Sequence, residues 1–481
     1  MAFAGKAALM AVGISTLAAC AVGPDYQRPD AVMSDHYKEQ SAASSELWRP
    51  SRPGDEADRG AWWSVYGDPL LNSLLSQVDV SNQNVKAYEA AYRQALAVAD
   101  AARASFFPTL SLDASGARSQ SHASVRGSSG TSVLSNSYST SLSASWEPDL
   151  WGRIRRTVEG NEASAEASSA DLAAARLSAQ GTLAADYFSL RYEDALKHLL
   201  EATATAYQRS LEITRNQYGA GMASRSDVVQ AEAQLASTQS QLVAVGSQRA
   251  QLEHAIAVLV GKAPADFSIA DTGVLSEVPP IPAGVPSVLL ERRPDIAASE
   301  RRMAAANAQI GVAVAAYFPS LTLSGSNGFS ASTLGSLLQA SNNVWSVGPS
   351  LALTVFDAGS RSAQVEEARA SYDQSVANYR QSVLTAMQAV EDNLATLRIL
   401  AEQAEVQNKA VLAATEAERL VLNQYRAGTV AYTSVVTAQA TALSDKQTAL
   451  GIAQSRLSAS VALIQALGGG WERRPTADAV E

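Results

Sequence analysis

The one side chain placed for covalent chemistry is Cys20, the only cysteine among 481 residues. It follows Leu17-Ala18-Ala19, a branched apolar residue and two small ones, which is the form of a bacterial lipobox. A peptidase needs small side chains beside the scissile bond, and the thiol can then carry a diacylglycerol. Upstream, Lys6 is the only charge before Asp25, and Ala7 to Leu17 is an apolar run that suits a signal-peptide core but is too short to span a membrane. The sequence therefore predicts a signal peptide over 1–19 and, on Cys20, diacylglycerol and an N-acyl chain, with no cofactor. Ala21 stands where Asp would hold a bacterial lipoprotein in the inner membrane, so export to the outer membrane is permitted. Lipid chains alone would anchor the protein there, not make it span.

The other reactive side chains do not assemble. His36, His122, His198 and His254 are all the histidines; none has metal-ligand spacing, and none stands near a Ser or Cys in a nucleophile motif. One thiol excludes intrachain disulfides and Cys-based metal sites. There is no phosphate-binding glycine loop, and the carboxylates lie along helical faces with Arg, where solvated pairing is the default. The reading is of no catalytic site, no metal site and no enzyme. A formal charge of −10 speaks against nucleic acid as a partner.

What remains is architecture. Aromatics are 6% of the chain, and long stretches are Ala, Ser, Gln, Glu and Leu, which favour helix without filling a thick core. After Cys20 no apolar run reaches membrane-helix length, so any crossing must be made by β-strands. The chain also repeats itself. Phe107-Pro108-Thr109-Leu110-Ser111-Leu112 returns as Phe318-Pro319-Ser320-Leu321-Thr322-Leu323. Asp149-Leu150-Trp151-Gly152-Arg153 returns loosely as Asp357-Ala358-Gly359-Ser360-Arg361. Asn216-Gln217-Tyr218 with Gly221 returns as Asn423-Gln424-Tyr425 with Gly428. Three matches at nearly one offset, in one order, predict two copies of one architecture.

Each copy reads as a helix ending at Phe-Pro, two strands around a polar loop, a very long helix to the Asn-Gln-Tyr turn, and a return helix. The strands are expected at about 106–116, 137–147, 317–326 and 345–356, with Ser/Gly-rich loops over 115–136 and 330–343. Leu110, Leu112 and Ala114 alternate with Ser111, Asp113 and Ser115; Leu142, Ala144 and Trp146 alternate with Ser143 and Ser145. A period of two with Ser/Thr on one face fits a membrane barrel, lipid outside and water inside. Trp146, Trp151, Tyr317, Phe318 and Trp345 near the strand ends suit interfacial girdles. Four strands cannot close a barrel, and an open edge in lipid strands backbone groups, so several chains must share one barrel. Two chains would give eight strands and three would give twelve; sequence physics does not choose. The Pro-free helices from Arg153 and Arg361 would each reach roughly 100 Å, which demands lateral support. Val436, Leu443, Leu450, Leu457 and Ile464, each seven apart, mark a coiled-coil seam.

With these motifs in place the chain resembles the outer membrane factor family, in its NodT-type branch of efflux lipoproteins, distant relatives of TolC. The motifs are Cys20-Ala21-Val22-Gly23-Pro24-Asp25-Tyr26, then Trp62-Trp63 with Asp68-Pro69-Leu70, and most specifically Leu289-Leu290-Glu291-Arg292-Arg293-Pro294-Asp295-Ile296 leading to Phe318-Pro319. The resemblance implies a mainly α fold with membrane β: a homotrimer in which twelve strands form a barrel continuous with a twelve-helix α-barrel. It implies a lipidated N-terminal segment (20–79), a first repeat (80–264), a waist linker (265–290), a second repeat (291–467) and a C-terminal tail (468–481). The partners it implies are outer-membrane lipid, a periplasmic adaptor docking at tips marked by Gly219, Gly221, Ala427 and Gly428, and an inner-membrane RND-type pump. The role implied is a passive efflux conduit gated at those tips. A type I protein-secretion duct would share the architecture, and a structural lipoprotein of the envelope would share the anchor. In relatives an acid and a tyrosine help to hold the gate; Asp227 and Tyr425 occupy those positions, though Asp227 would also serve as a helix cap. Val430 stands where TolC has a gate arginine, and Ser434 and Thr437 stand where it has constriction acids. The expected constriction is therefore less cation-selective.

Overall fold

The computed structural model describes residues 21–30, 34, 37–39, 60–123, 131–273, 276–281 and 289–469. Cys20, His36 and the tail beyond Gly469 lie outside these residues, as do parts of the expected strand loop and linker. The elements run α1 (Pro69–Ser81), α2 (Gln83–Ala104), β1 (Thr109–Ala123), β2 (Thr131–Trp146), α3 (Arg153–Gly219) and α4 (Arg225–Leu259). Then come α5 (Leu289–Arg292), α6 (Pro294–Ala315), β3 (Ser320–Ala331), β4 (Asn343–Ala352), α7 (Ser360–Arg426) and α8 (Tyr432–Ala466). Corresponding helices are equal in length: 22 residues in α2 and α6, 67 in α3 and α7, 35 in α4 and α8. The repeat seen in the sequence is thus a repeat of elements.

One compact unit gathers Met1–Asp30, Tyr92–Ser168 and Ser299–Tyr379. Its sheet is antiparallel in the order β1-β2-β3-β4. The register sorts the side chains. Leu112 faces Leu142, Trp146 faces Leu323 and Leu321 faces Leu351, so one face is apolar across the sheet. The other face carries Ser115 opposite Ser139 and Ser326 opposite Ser346, with hydroxyls bonded in pairs at 2.8 and 2.9 Å. Leu112 is 75% exposed and Val347 76%, so the apolar face has no cover among the described residues. Among the described residues β1 and β4 are the two edges of the sheet, each presenting a row of backbone groups with no strand beside it.

The strand bounds correct the expectation in two ways. β1 and β2 run on through most of the expected loop, because backbone pairing continues from Gly116↔Tyr138 to Ala123↔Thr131. There the outward positions turn polar, at Arg118 and Asn136, which hides a strand from a search for apolar alternation. β3 likewise extends to Ala331, but β4 ends at Ala352 rather than 356. Its ladder closes at Ser320↔Ala352, and the preceding Pro319 has no N–H to pair with Leu353 or beyond.

The second unit gathers Ala31–Ala91, Ser169–Ala298 and Arg380–Glu481. Here the family-like motifs find their physical roles. Asp68 caps α1 through Leu70 and Leu71 N–H, and Tyr187 donates to its other oxygen. Trp62 donates to Gln180 at 3.0 Å, and the ring of Tyr66 packs 4.9 Å from that of Phe188. Arg293 grips Asp295 and also donates to the Ala466 carbonyl at 2.9 Å, at the C-terminal end of α8. The linker is stapled by Arg191, which donates to Ala270 O, and by Arg249, which donates to Ile269 O; both pair with Asp194, which is fully buried. Among the described residues no helix is long and apolar enough to cross a membrane, and no group of His, Cys, Asp and Glu could hold a metal ion.

Candidate gate at the helical tips

Both long helices end in the same way. Gly221 N–H returns to Tyr218 O at 2.9 Å and Met222 N–H to Gln217 O at 2.8 Å; Gly428 returns to Tyr425 O at 2.9 Å and Thr429 to Gln424 O at 3.0 Å. This is the Schellman stop, and it needs a left-handed residue at its hinge. Gly221 has φ +74° and Gly428 φ +73°, values that favour glycine. A Cβ on Gly219, Gly221 or Gly428 would meet nothing within 4 Å. The four tip residues expected from the sequence, Ala427 included, therefore lie at the turns, on open surface.

The two tips part company at the start of the return helices. α4 begins with a capping box: Ser224 Oγ accepts from Asp227 N–H at 3.2 Å, and the Asp227 carboxylate accepts from Ser224 N–H at 2.9 Å. Arg215 of α3 then pairs with Glu232 of α4 at 2.8 Å. α8 begins at Ala431 with no side-chain cap.

Asp227 and Tyr425 do not bond to each other within the chain. The Asp227 carboxylate is occupied by its own helix start. Tyr425, 6% exposed, instead donates to Thr214 Oγ1 at 3.4 Å. Thr214 Oγ1 donates on to Ser210 O at 3.0 Å, and Ser210 Oγ lies 3.4 Å from the hydroxyl of Tyr432. The rings of Tyr425 and Tyr432 meet edge to face at 5.2 Å. Around them Tyr207, Leu211, Val228, Ala231, Leu235 and Val435 complete a small apolar cluster drawn from α3, α4, α7 and α8. Burial lifts both tyrosine hydroxyls above their ordinary 10.0, against the opposing pull of their Thr214 and Ser210 partners, so both stay protonated at neutral pH. Hydrogen bonds of 3.4 Å are long. The cluster is held mainly by packed rings, with a hydroxyl chain that is easily exchanged.

Ser434 and Thr437 take no part in this cluster. Both are exposed on α8, and Thr437 Oγ1 turns back to Thr433 O at 3.0 Å. With Thr441 they present hydroxyls on the exposed side of α8. Sequence reasoning missed Thr214, Ser210 and Tyr432. The available signal was the pair Ser210 and Thr214, four apart on one helix face, opposite an aromatic just past the second turn.

Comparison with known proteins agrees with this architecture. The sequence profile of the outer membrane efflux protein family matches residues 74–262 and 285–469. The toluene efflux pump outer membrane protein TtgC of Pseudomonas putida is 32% identical over 476 residues, spanning 96% of this chain and 95% of its own. The cation efflux system protein CusC of Escherichia coli is 28% identical over 460 residues, spanning 95% of this chain and 97% of its own. The solved outer-membrane channel OprN superposes with a TM-score of 0.82 at 31% identity, covering 94% of this chain and all of its own.

Proposed function

Because this chain belongs to the outer membrane efflux protein family, we propose that it is the outer-membrane duct of a tripartite efflux pump, closed at rest by the aromatic cluster at its helical tips. It is a transport conduit rather than an enzyme, and it resides in the Gram-negative outer membrane. The observation that carries the reading is the four-stranded sheet, apolar on one face, serine-lined on the other and open at both edges. In lipid those edges must be paired. Three copies closing edge to edge give a twelve-stranded barrel with lipid against the leucines and water against the serines. The lipid on Cys20 adds an anchor.

A periplasmic adaptor, itself joined to an inner-membrane pump of the RND type, docks at the glycine turns around Gly221 and Gly428. It draws the tips open by offering contacts that the Tyr425–Tyr432 cluster forgoes, which is a population shift. The duct does not choose its cargo: relatives named for toluene and for cations share one architecture. With Ser434 and Thr437 at the constriction, it discriminates weakly among ions. Native mass spectrometry of the detergent-extracted protein tests the assembly. A trimer carrying three acylated N-termini supports it; a monomer or dimer with free Cys20 contradicts it.

A further inference from the structure

The strap from Ala21 to Arg28 is fixed along its length. Val22 N–H donates to Trp151 O at 3.1 Å. Arg156, its side chain 5% exposed, donates to the Val22 and Gly23 carbonyls and to Asp25, the last at 2.7 Å. Asn307 donates to Pro24 O at 3.0 Å, Tyr26 to Glu300, and Arg28 to the Tyr379 hydroxyl at 3.1 Å. Two glycine contacts remove the slack. A Cβ on Gly23, at φ +95°, would stand 2.5 Å from Gly311 Cα, and a Cβ on Gly152, at φ +80°, would stand 2.8 Å from Ala21 Cα. Cys20, the attachment point, is the residue joined to Ala21 on its N-terminal side.

Beside Trp151 opens a cleft of about 350 Å³. Its walls are Leu150, Leu321, Leu353, Ala316 and the stacked rings of Trp151 and Phe318, 4.8 Å apart. Leu321 belongs to the apolar face of the sheet, paired with Leu351. Several polar groups around the cleft are already used: Trp151 Nε1 donates to Pro319 O at 2.8 Å, Arg153 holds Glu147 at 2.9 Å, and Asp149 caps α3 through Ile154 and Arg155 N–H; the hydroxyl residues Ser320 and Thr354 also line it. The lining is thus mixed, with leucine, alanine and aromatic side chains beside the Glu147–Arg153 pair.

We infer that this cleft seats one acyl chain of the lipid on Cys20, with the glycerol against the Glu147–Arg153 rim. The inference rests on the reading of Cys20 as a lipidated residue. The strap delivers the attachment point to Trp151, so the chain enters as a tethered group at high effective concentration. The volume is at the small end of ligand pockets and takes part of one chain. An apolar wall that water would otherwise wet is covered. The anchor is then a fixed part of the strand–helix junction rather than a loose tether.

The test uses the full-length protein from cells fed a diazirine-bearing palmitate. After irradiation and digestion, mass spectrometry maps where the Cys20 lipopeptide has cross-linked. The expected cross-links concentrate on 147–153, 315–321 and 352–354, and fall severalfold in Ala316→Trp, where the indole fills the cleft while acylation is unchanged. The wild-type map decides the matter even if that variant does not fold. Acylated Cys20 with cross-links scattered over the strands, or only to bulk phospholipid, overturns the seat and leaves the lipoprotein reading standing. Unmodified Cys20 overturns both.

Discussion

Tyr425 and Tyr432 face each other across the second turn, edge to face at 5.2 Å, each buried against helices of the first repeat. Their rings, more than their hydroxyls, join the two helix pairs. Tyr425→Phe keeps the ring and gives up one long hydrogen bond, a loss of about 1 kcal/mol or less. Tyr425→Ala removes the ring and leaves a cavity, a loss of about 3 kcal/mol. Hydrogen exchange at 425–436 should therefore be near wild type in the phenylalanine variant and much faster in the alanine variant. Equal effects would mean that the hydroxyl chain dominates.

Asp227 acts as a cap. Asp227→Ala removes the N3 half of the capping box and should loosen the first turn of α4, seen as faster exchange over 225–229. In a double-mutant cycle with Tyr425→Ala the two losses should add, since the side chains share no bond. A large coupling energy would restore the direct latch that relatives led the sequence reading to expect.

The missing cap on α8 invites repair. Ala431 has φ −74° and ψ 154°, the extended geometry of a capping residue. Ala431→Ser should stabilise the second tip by about 1 kcal/mol and slow exchange over 432–435. No slowing would show that the start of α8 is already held by the buried Tyr432 ring.

The first tip should respond to acid. The Arg215 hydrogen bond holds the Glu232 carboxyl below its ordinary 4.5. A carboxylate with a depressed folded value contributes its full stabilisation above the ordinary value and loses it as pH falls through the lower one. Protection from exchange around 215 and 232, taken relative to the intrinsic rate at each pH, should thus fall only below pH 4.5, and Glu232→Gln should abolish that step. An unchanged acid step in the variant would assign it to another group.

Restoring an acid at the constriction should restore cation preference. Thr437→Asp places three exposed carboxylates in the trimer, and reversal potentials in a salt gradient should shift toward cation selectivity. No shift would remove Thr437 from the constriction.

Much of this was legible in the residues. Offsets between Phe107-Pro108 and Phe318-Pro319, and between Tyr218 and Tyr425, announced the repeat, because proline and the Schellman glycine punctuate a helix wherever they stand. The Leu110–Leu112 alternation announced the strands but not their length, since pairing beyond Gly116 is carried by backbone bonds that leave no apolar trace. At the tips, Asp227 and Tyr425 were visible as residue types, but their partners were not. Asp227 turns to Ser224, three residues away, a local choice that outcompetes a distant one. Tyr425 turns to Thr214, 211 residues away, a contact set by the packing of four helices.

The most direct test of the duct and its gate is single-channel conductance of the purified oligomer in a planar bilayer, with wild type, Tyr425→Phe and Tyr425→Ala side by side. The account predicts a small wild-type conductance, nearly the same in the phenylalanine variant and clearly larger in the alanine variant. Three equal, wide-open conductances would contradict the aromatic gate, and no conductance from any of them would contradict the duct itself.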